Sequence, residues 1–84
     1  MLNVLVISPI KYALDKQVEK ARAEFFANDN DVAIHAVHAL VDEVEKRING
    51  KQYDIAFIDI LYDIDEVNII REHICGVKQK IVRF

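Results

Sequence analysis

A short apolar run near the middle of the chain, Tyr53–Ile60, most constrains what this sequence can fold into. Branched aliphatic and aromatic residues dominate the run, and a single carboxylate, Asp59, comes near its end. A run of this length between polar residues is typical of a strand that is buried on both faces. We therefore expect it to lie inside a sheet that helices cover on both sides.

Three further segments have the composition of strands. Leu2–Ser8 is rich in β-branched residues and ends where Pro9 removes the N–H that a sheet ladder requires. Val32–Val37 contains alanines and a histidine, which favours an edge position in the sheet. Lys80–Phe84 is predicted to be the last strand.

The first helix is predicted to begin beside the first strand. Ser8 is a candidate N-cap with Pro9 in the first helical position, Asp15 is a later alternative start, and the helix should run to about Ala27. Its apolar residues recur at helical spacing. They are Leu14, Val18, Ala21, Phe25 and Phe26.

Two more helices follow. One is expected over about residues 39–49, with Gly50 as its left-handed C-terminal cap. The other should begin at Asp63, which forms a capping-box pattern with Glu66, and should end at Gly76. Their predicted apolar faces are Leu40, Val41, Val44 and Ile48 in the former and Val67, Ile70 and Ile74 in the latter.

The predicted element order is β-α-β-α-β-α-β. Strands that alternate with helices of this length are typical of right-handed crossovers and a parallel sheet. We expect an α/β fold of three layers, in which a four-stranded parallel sheet has the order 2-1-3-4 and carries three helices, as in flavodoxin-like folds. Residues 1–84 are expected to form one domain.

Bulk composition excludes several classes of function. The formal net charge of −3 argues against binding to nucleic acid or to a membrane surface. Cys75 is the only cysteine, so an internal disulfide and a cysteine zinc site are excluded. With two glycines and no glycine-rich loop, no nucleotide cofactor is expected. Without a signal-peptide pattern or a long apolar run, the protein is expected to be complete and cytoplasmic.

The expected layers are unequal, and this predicts association. One sheet face should carry only the first helix, so the sheet near Ile58, Ile60 or Val82 is expected to be partly uncovered. The last strand is a parallel edge. Both features predict a protein partner or a homodimer through the sheet edge or the uncovered face. The interface candidates are Phe25, Phe26, Ile81, Val82 and Phe84. Alternatively, Phe25, Phe26 and Phe84 cover the gap in a monomer.

The segment from Tyr53 to Glu72, which contains Phe-Ile-Asp-Ile and Ile-Ile-Arg, resembles the receiver domains of bacterial response regulators. In those domains the acidic residue that ends the third strand accepts a phosphoryl group, and Asp59 has that position. Receivers also place two acidic residues after the first strand to hold magnesium. Here these positions are Ser8 and Pro9, so the resemblance implies a shortened, degenerate receiver.

A second resemblance is to the B components of lactose/cellobiose-type sugar phosphotransferase systems. Their four-stranded sheet has the same order, and a phosphorylated cysteine follows the first strand. Ser8-Pro9 stands at that place, so the cysteine chemistry is absent.

The remaining candidate chemistry is acidic. Asp59, Asp63 and Asp65 fall at the carboxyl end of the sheet, where open α/β folds bind ligands, and could form a weak cation site. Capping of the third helix by Asp63 is the alternative. His35 and His38 are predicted to point differently and not to bind zinc. The sequence therefore favours a non-catalytic interaction or regulatory module, with phosphorylation of Asp59 as the alternative.

Overall fold

The computed structural model describes residues 2–24, 31–48, 50–74 and 80–83. The elements in these ranges are β1 (Leu2–Ser8), α1 (Lys11–Glu24), β2 (Val32–His38), a 3₁₀ turn (Val41–Glu43), α2 (Val44–Ile48), β3 (Ile55–Ile58), α3 (Ile64–His73) and β4 (Lys80–Arg83). The strands form one sheet of order β2-β1-β3-β4, and every neighbouring pair is parallel. The predicted α/β fold, with its four-stranded parallel sheet, is confirmed.

The core consists of two layers of apolar side chains, one on each face of the sheet. On one face α1 contributes Leu14 and Ala21, which pack against Val4, Val6 and Phe57. On the other face α2 contributes Val44 and Ile48, α3 contributes Val67 and Ile70, and Ile74 follows directly after α3. These side chains pack against Leu5, Ile7, Ala56 and Ile58. Full burial of each large apolar side chain contributes roughly 1.5–3 kcal/mol. The three-layer arrangement holds because successive residues of each strand point to opposite faces.

The prediction that the sheet is uncovered near Ile58 is wrong. This side chain is fully buried, and it lies on the face that α2 and α3 cover. Its neighbour Phe57 points toward the α1 face and is only 1% exposed. Ile60 lies in a turn beyond β3 and not on the sheet, while Val82 is half-buried against the α1-side cluster.

The first helix, α1, starts later than predicted. The helix begins at Lys11, and its first backbone bond runs from the Leu14 N–H to the Ile10 carbonyl. Ile10 is therefore the residue that precedes the helix, and Ser8 is not the helix cap. Ser8 Oγ accepts from the Ile10 N–H at 3.1 Å and donates to Asp59 at 2.6 Å. The alternative start at Asp15 is also wrong, since that residue lies inside the helix.

The second predicted helix is shorter and begins later. Ala39 continues the sheet ladder by donating its N–H to the Ser8 carbonyl, and the chain then forms the 3₁₀ turn before α2. Leu40 is consequently exposed and does not belong to the apolar face of α2. The predicted cap at Gly50 is supported by its φ of 77°, a backbone conformation that glycine adopts without strain.

The central strand is shorter than its apolar run, and the helix that follows starts where predicted. β3 covers only Ile55–Ile58, and the chain turns after it with a bond from the Tyr62 N–H to the Asp59 carbonyl. Asp63 caps α3 as predicted: its side chain accepts from the Glu66 N–H at 2.8 Å, and Glu66 accepts from the Asp63 N–H at 3.0 Å.

Several predictions fall on residues outside the described ranges. These are the stretch from Phe25 to Ala27, Asn49, Cys75, Gly76 and Phe84. Among the described helices, none has the length and hydropathy to cross a membrane.

Candidate functional site

The loops that follow β1, β2 and β3 meet at the carboxyl edge of the sheet. Parallel strands place their carboxyl ends at the same edge, so these loops are neighbours by topology. Hydrogen bonds connect them: the Tyr62 hydroxyl donates to the Ala39 carbonyl at 2.5 Å, and His38 Nε2 lies 3.1 Å from the Pro9 carbonyl oxygen. The edge is therefore one continuous surface built from three loops.

Asp59 is the buried centre of this edge. Its side chain is 1% exposed, and both carboxylate oxygens accept hydrogen bonds. Oδ2 accepts from Ser8 Oγ at 2.6 Å and from Gln17 Nε2 at 2.8 Å, while Oδ1 accepts from the Leu61 N–H at 2.9 Å. A buried carboxylate is stable only when such donors replace water. Asp59 therefore binds β1, α1 and its own loop together.

Gln17 is a member of this site that the sequence prediction did not include. Its position three residues after Leu14 puts a polar side chain beside the buried stripe of α1, and that was the available signal. Its Nε2 donates to Asp59, whereas its Oε1 is buried and has no hydrogen-bond partner among the described residues. The amide thus has one satisfied end and one unsatisfied acceptor next to the carboxylate.

Arg83 joins the last strand to the same loop. One guanidinium nitrogen donates to the Asp59 carbonyl at 3.2 Å and to the Tyr62 carbonyl at 2.6 Å. Arg83 reaches this loop because the sheet order places the end of β4 beside the end of β3. Because the charged donor binds two backbone acceptors of one turn, it holds the turn that contains Asp59 in a single shape.

Tyr62 is the second buried polar residue of the loop, and the sequence prediction did not include it. Burial raises the pKa of its phenol well above the usual range, and the negative charges of Asp59, Glu66 and Glu43 raise it further. The neutral hydroxyl donates to the Ala39 carbonyl. The phenol therefore acts as a fixed donor between the loops after β2 and β3.

The structure separates the three predicted carboxylates by role. Asp59 is buried among donors, Asp63 caps α3, and Asp65 is exposed in the first turn of that helix. In residues 2–24, 31–48, 50–74 and 80–83, no three His, Cys, Asp or Glu side chains form a group that could hold a metal ion. The described part of the chain gives the predicted cation site no support.

Exposed apolar side chains lie at the same edge of the sheet as the buried polar centre. Of the seven large apolar residues that are exposed in the described ranges, six lie in the loops after β1, β2 and β3 or in the first turn of the helix that follows. We call these six the carboxyl-edge rim: Ile10, Tyr12, Leu40, Ile60, Leu61 and Ile64. The seventh is Ile69, within α3. The sequence prediction did not identify the rim, because a branched residue in a loop cannot be distinguished from a core residue by composition alone.

The predicted interface residues are placed less favourably than the rim. Ile81 is half-buried against the α2 and α3 side of the core, and Val82 is half-buried against the α1 side. The other three candidates, Phe25, Phe26 and Phe84, are outside the described residues.

Comparisons with protein-family models, with curated proteins and with solved structures found no match to this chain.

Proposed function

We propose that this chain is a non-catalytic protein-interaction module that docks a protein partner on its carboxyl-edge rim. The observation that carries the proposal is the concentration of exposed apolar side chains at one edge of the sheet. Apolar area removed from water contributes about 25 cal/mol per Å². Clustered exposed apolar side chains on a small domain are typical of an interaction surface.

The polar centre beneath the rim supports docking over chemistry. Asp59 accepts three hydrogen bonds from the protein itself, so neither of its carboxylate oxygens is presented to a substrate. The same bonds, with those of Arg83, hold the loop that presents Ile60 and Leu61. A surface whose loops are already ordered loses less conformational entropy when it binds.

The charges beside the rim indicate the chemistry of the partner. The 3₁₀ turn and α3 both begin at this edge, and their first turns carry Asp42 and Glu43, and Asp65 and Glu66, respectively. A partner that fits would present an apolar patch bordered by lysine or arginine side chains. Complementary charge of this kind raises the association rate, and added salt lowers it.

The test compares rim variants with a matched apolar control. The immobilised chain is incubated with a lysate of the source organism, and bound proteins are identified by mass spectrometry. We expect Leu61→Ser combined with Ile64→Ser to lose the specific partner, because both side chains are exposed rim residues. Ile69→Ser, the same kind of change outside the rim, should retain it. If the double variant and wild type recover the same proteins, docking on the rim is refuted.

A second candidate function is phosphorylation of Asp59, which the resemblance to receiver domains implies. The observation that favours it is the position of Asp59 directly after β3 at the carboxyl edge. The test is incubation with acetyl phosphate and magnesium, followed by intact mass measurement. A stable gain of one phosphate that Asp59→Asn abolishes would support this function, and an unchanged mass would support the docking module.

A further inference from the structure

In the part of the chain that the structure describes, the sheet has two edge strands, and they differ in charge. β4 contains two basic residues, Lys80 and Arg83. β2 has seven residues, Val-Ala-Ile-His-Ala-Val-His, with no lysine, arginine, aspartate, glutamate or proline. Charged side chains, proline and short length are the features that keep an edge strand from pairing with another chain. β2 has none of them.

The hydrogen bonds at the two ends of β2 show which of its backbone groups face outward. The Asp31 carbonyl accepts from the Leu2 N–H, and the Ala39 N–H donates to the Ser8 carbonyl. In the parallel register of β1 and β2, the backbone groups of Ala33, His35 and Val37 therefore bond to β1. Even-numbered residues point their N–H and C=O groups away from the sheet. The His38 carbonyl agrees with this, since it accepts from the Arg47 side chain at 2.9 Å.

Three residues of β2 consequently direct both backbone groups away from β1, at an edge that no other described strand covers: Val32, Ile34 and Ala36. Such groups are the template on which another strand can pair. Two identical strands that pair about a twofold axis must run antiparallel. With His35 on the axis, Ile34 of each copy lies opposite Ala36 of the other, and the two pairs exchange four N–H···O bonds.

The charges at the ends of β2 are complementary in this arrangement. Asp31 precedes the strand, and the guanidinium of Arg47 is bonded to the carbonyl of its last residue. Antiparallel pairing brings Asp31 of one copy toward the end of the second copy's strand, where its Arg47 lies. Parallel pairing would instead place like charges side by side. The second copy is thus an occupant that fits both the backbone pattern and the charge pattern.

We propose that β2 pairs antiparallel with β2 of a second copy, which joins the two four-stranded sheets into one sheet of eight strands. The contact lies at the side of the sheet and does not require the carboxyl-edge rim, so the proposal goes beyond the docking function. Two edge strands bury less surface than a standard interface of roughly 1,600 Å². The expected result is a reversible dimer that dissociates on dilution in the micromolar to millimolar range.

The test is sedimentation velocity over a concentration series with matched lysine substitutions. Wild type should change from the mass of one chain to that of two as its concentration rises. Ala36→Lys places a charge at an exposed edge position and should weaken dimerisation at least tenfold. Ala23→Lys makes the same change at an exposed position of α1 and should dimerise as wild type does. Circular dichroism checks that both variants are folded.

Amide hydrogen exchange measured by NMR separates this contact from other modes of association. The N–H groups of Ile34 and Ala36 should become protected only at high concentration, while those of Ala33 and His35, which bond to β1, should be protected at every concentration. The rim variant Leu61→Ser with Ile64→Ser should dimerise normally. A wild-type monomer throughout, an Ala36→Lys dimer of wild-type affinity, or dimerisation without new protection at Ile34 and Ala36 would overturn the proposal.

Discussion

Asp59 and Asp63 lie four residues apart at the two ends of one loop, and their environments are opposite. Asp59 is buried and accepts from donors on β1, α1 and its own loop. Asp63 is exposed and accepts from the first turn of its own helix. The same residue type, aspartate, therefore makes long-range contacts at one end of the loop and local contacts at the other. Burial decides which role it has, because a buried carboxylate must replace water with several protein donors.

The largest loss of stability is expected for a substitution of Asp59, at the buried end of the loop. Asp59→Ala removes the acceptor of three donors and leaves the Gln17 amide and the Leu61 N–H without their acceptor, whereas Ser8 can still donate to the Ile10 carbonyl at 3.1 Å. We therefore expect a loss of about 3 kcal/mol in the free energy of unfolding. Urea titration measures it. Asp59→Asn is the matched control: rotation of the Gln17 amide turns its unpartnered Oε1 toward the new NH₂ group. The asparagine variant should therefore lose much less, and equal losses would refute this account of the network.

The second-largest loss of stability is expected at Tyr62, which lies in the same loop as Asp59. Tyr62→Phe leaves the Ala39 carbonyl without its donor and should cost about 1–2 kcal/mol at neutral pH. Burial raises the pKa of Tyr62 above its ordinary value of 10.0, so its contribution to stability is complete below pH 10 and is lost as the pH rises further. The stability of wild type should fall more steeply above pH 10 than that of the variant. Part of the slope should remain, because burial also raises the pKa of Tyr53.

At the exposed end the loss should be smaller. Asp63→Ala removes the cap of α3, and such caps contribute about 1 kcal/mol. Asp63→Asn keeps an acceptor for the Glu66 N–H and should recover most of that loss. Thermal melts of the two variants measure the difference. A loss at Asp63→Ala as large as that at Asp59→Ala would remove the contrast between the two ends of the loop.

The smallest effect should be at Asp65, two residues farther on. This side chain is exposed in the first turn of α3, where its negative charge interacts favourably with the helix dipole. Asp65→Asn should change the free energy of unfolding by less than about 0.5 kcal/mol. Titration with magnesium should not alter the melting temperature of wild type or variant. If magnesium stabilised wild type but not the variant, that result would support the predicted cation site.

The two carboxylates also show how far prediction from sequence extends. The role of Asp63 was predictable, because a capping box is a pattern of residues three apart. The partners of Asp59 were not, since Ser8, Gln17 and Arg83 lie on three other elements of the sheet and helix layers. The assignment of Ser8 as a helix cap was wrong because α1 begins three residues later, at Lys11, while the Ser8 hydroxyl both accepts from the Ile10 N–H and donates to the distant Asp59.

The sequence by itself determined the order of the elements, the parallel direction of the strands and the start of α3. These follow from the periodicity of apolar residues and from local capping, which act over a few neighbouring positions. Only the tertiary structure decided that Asp59 is surrounded by donors, that the loops after β1, β2 and β3 form an apolar rim, and which backbone groups of β2 point outward. Those properties depend on which distant segments share one edge of the sheet, and no short window of sequence contains that information.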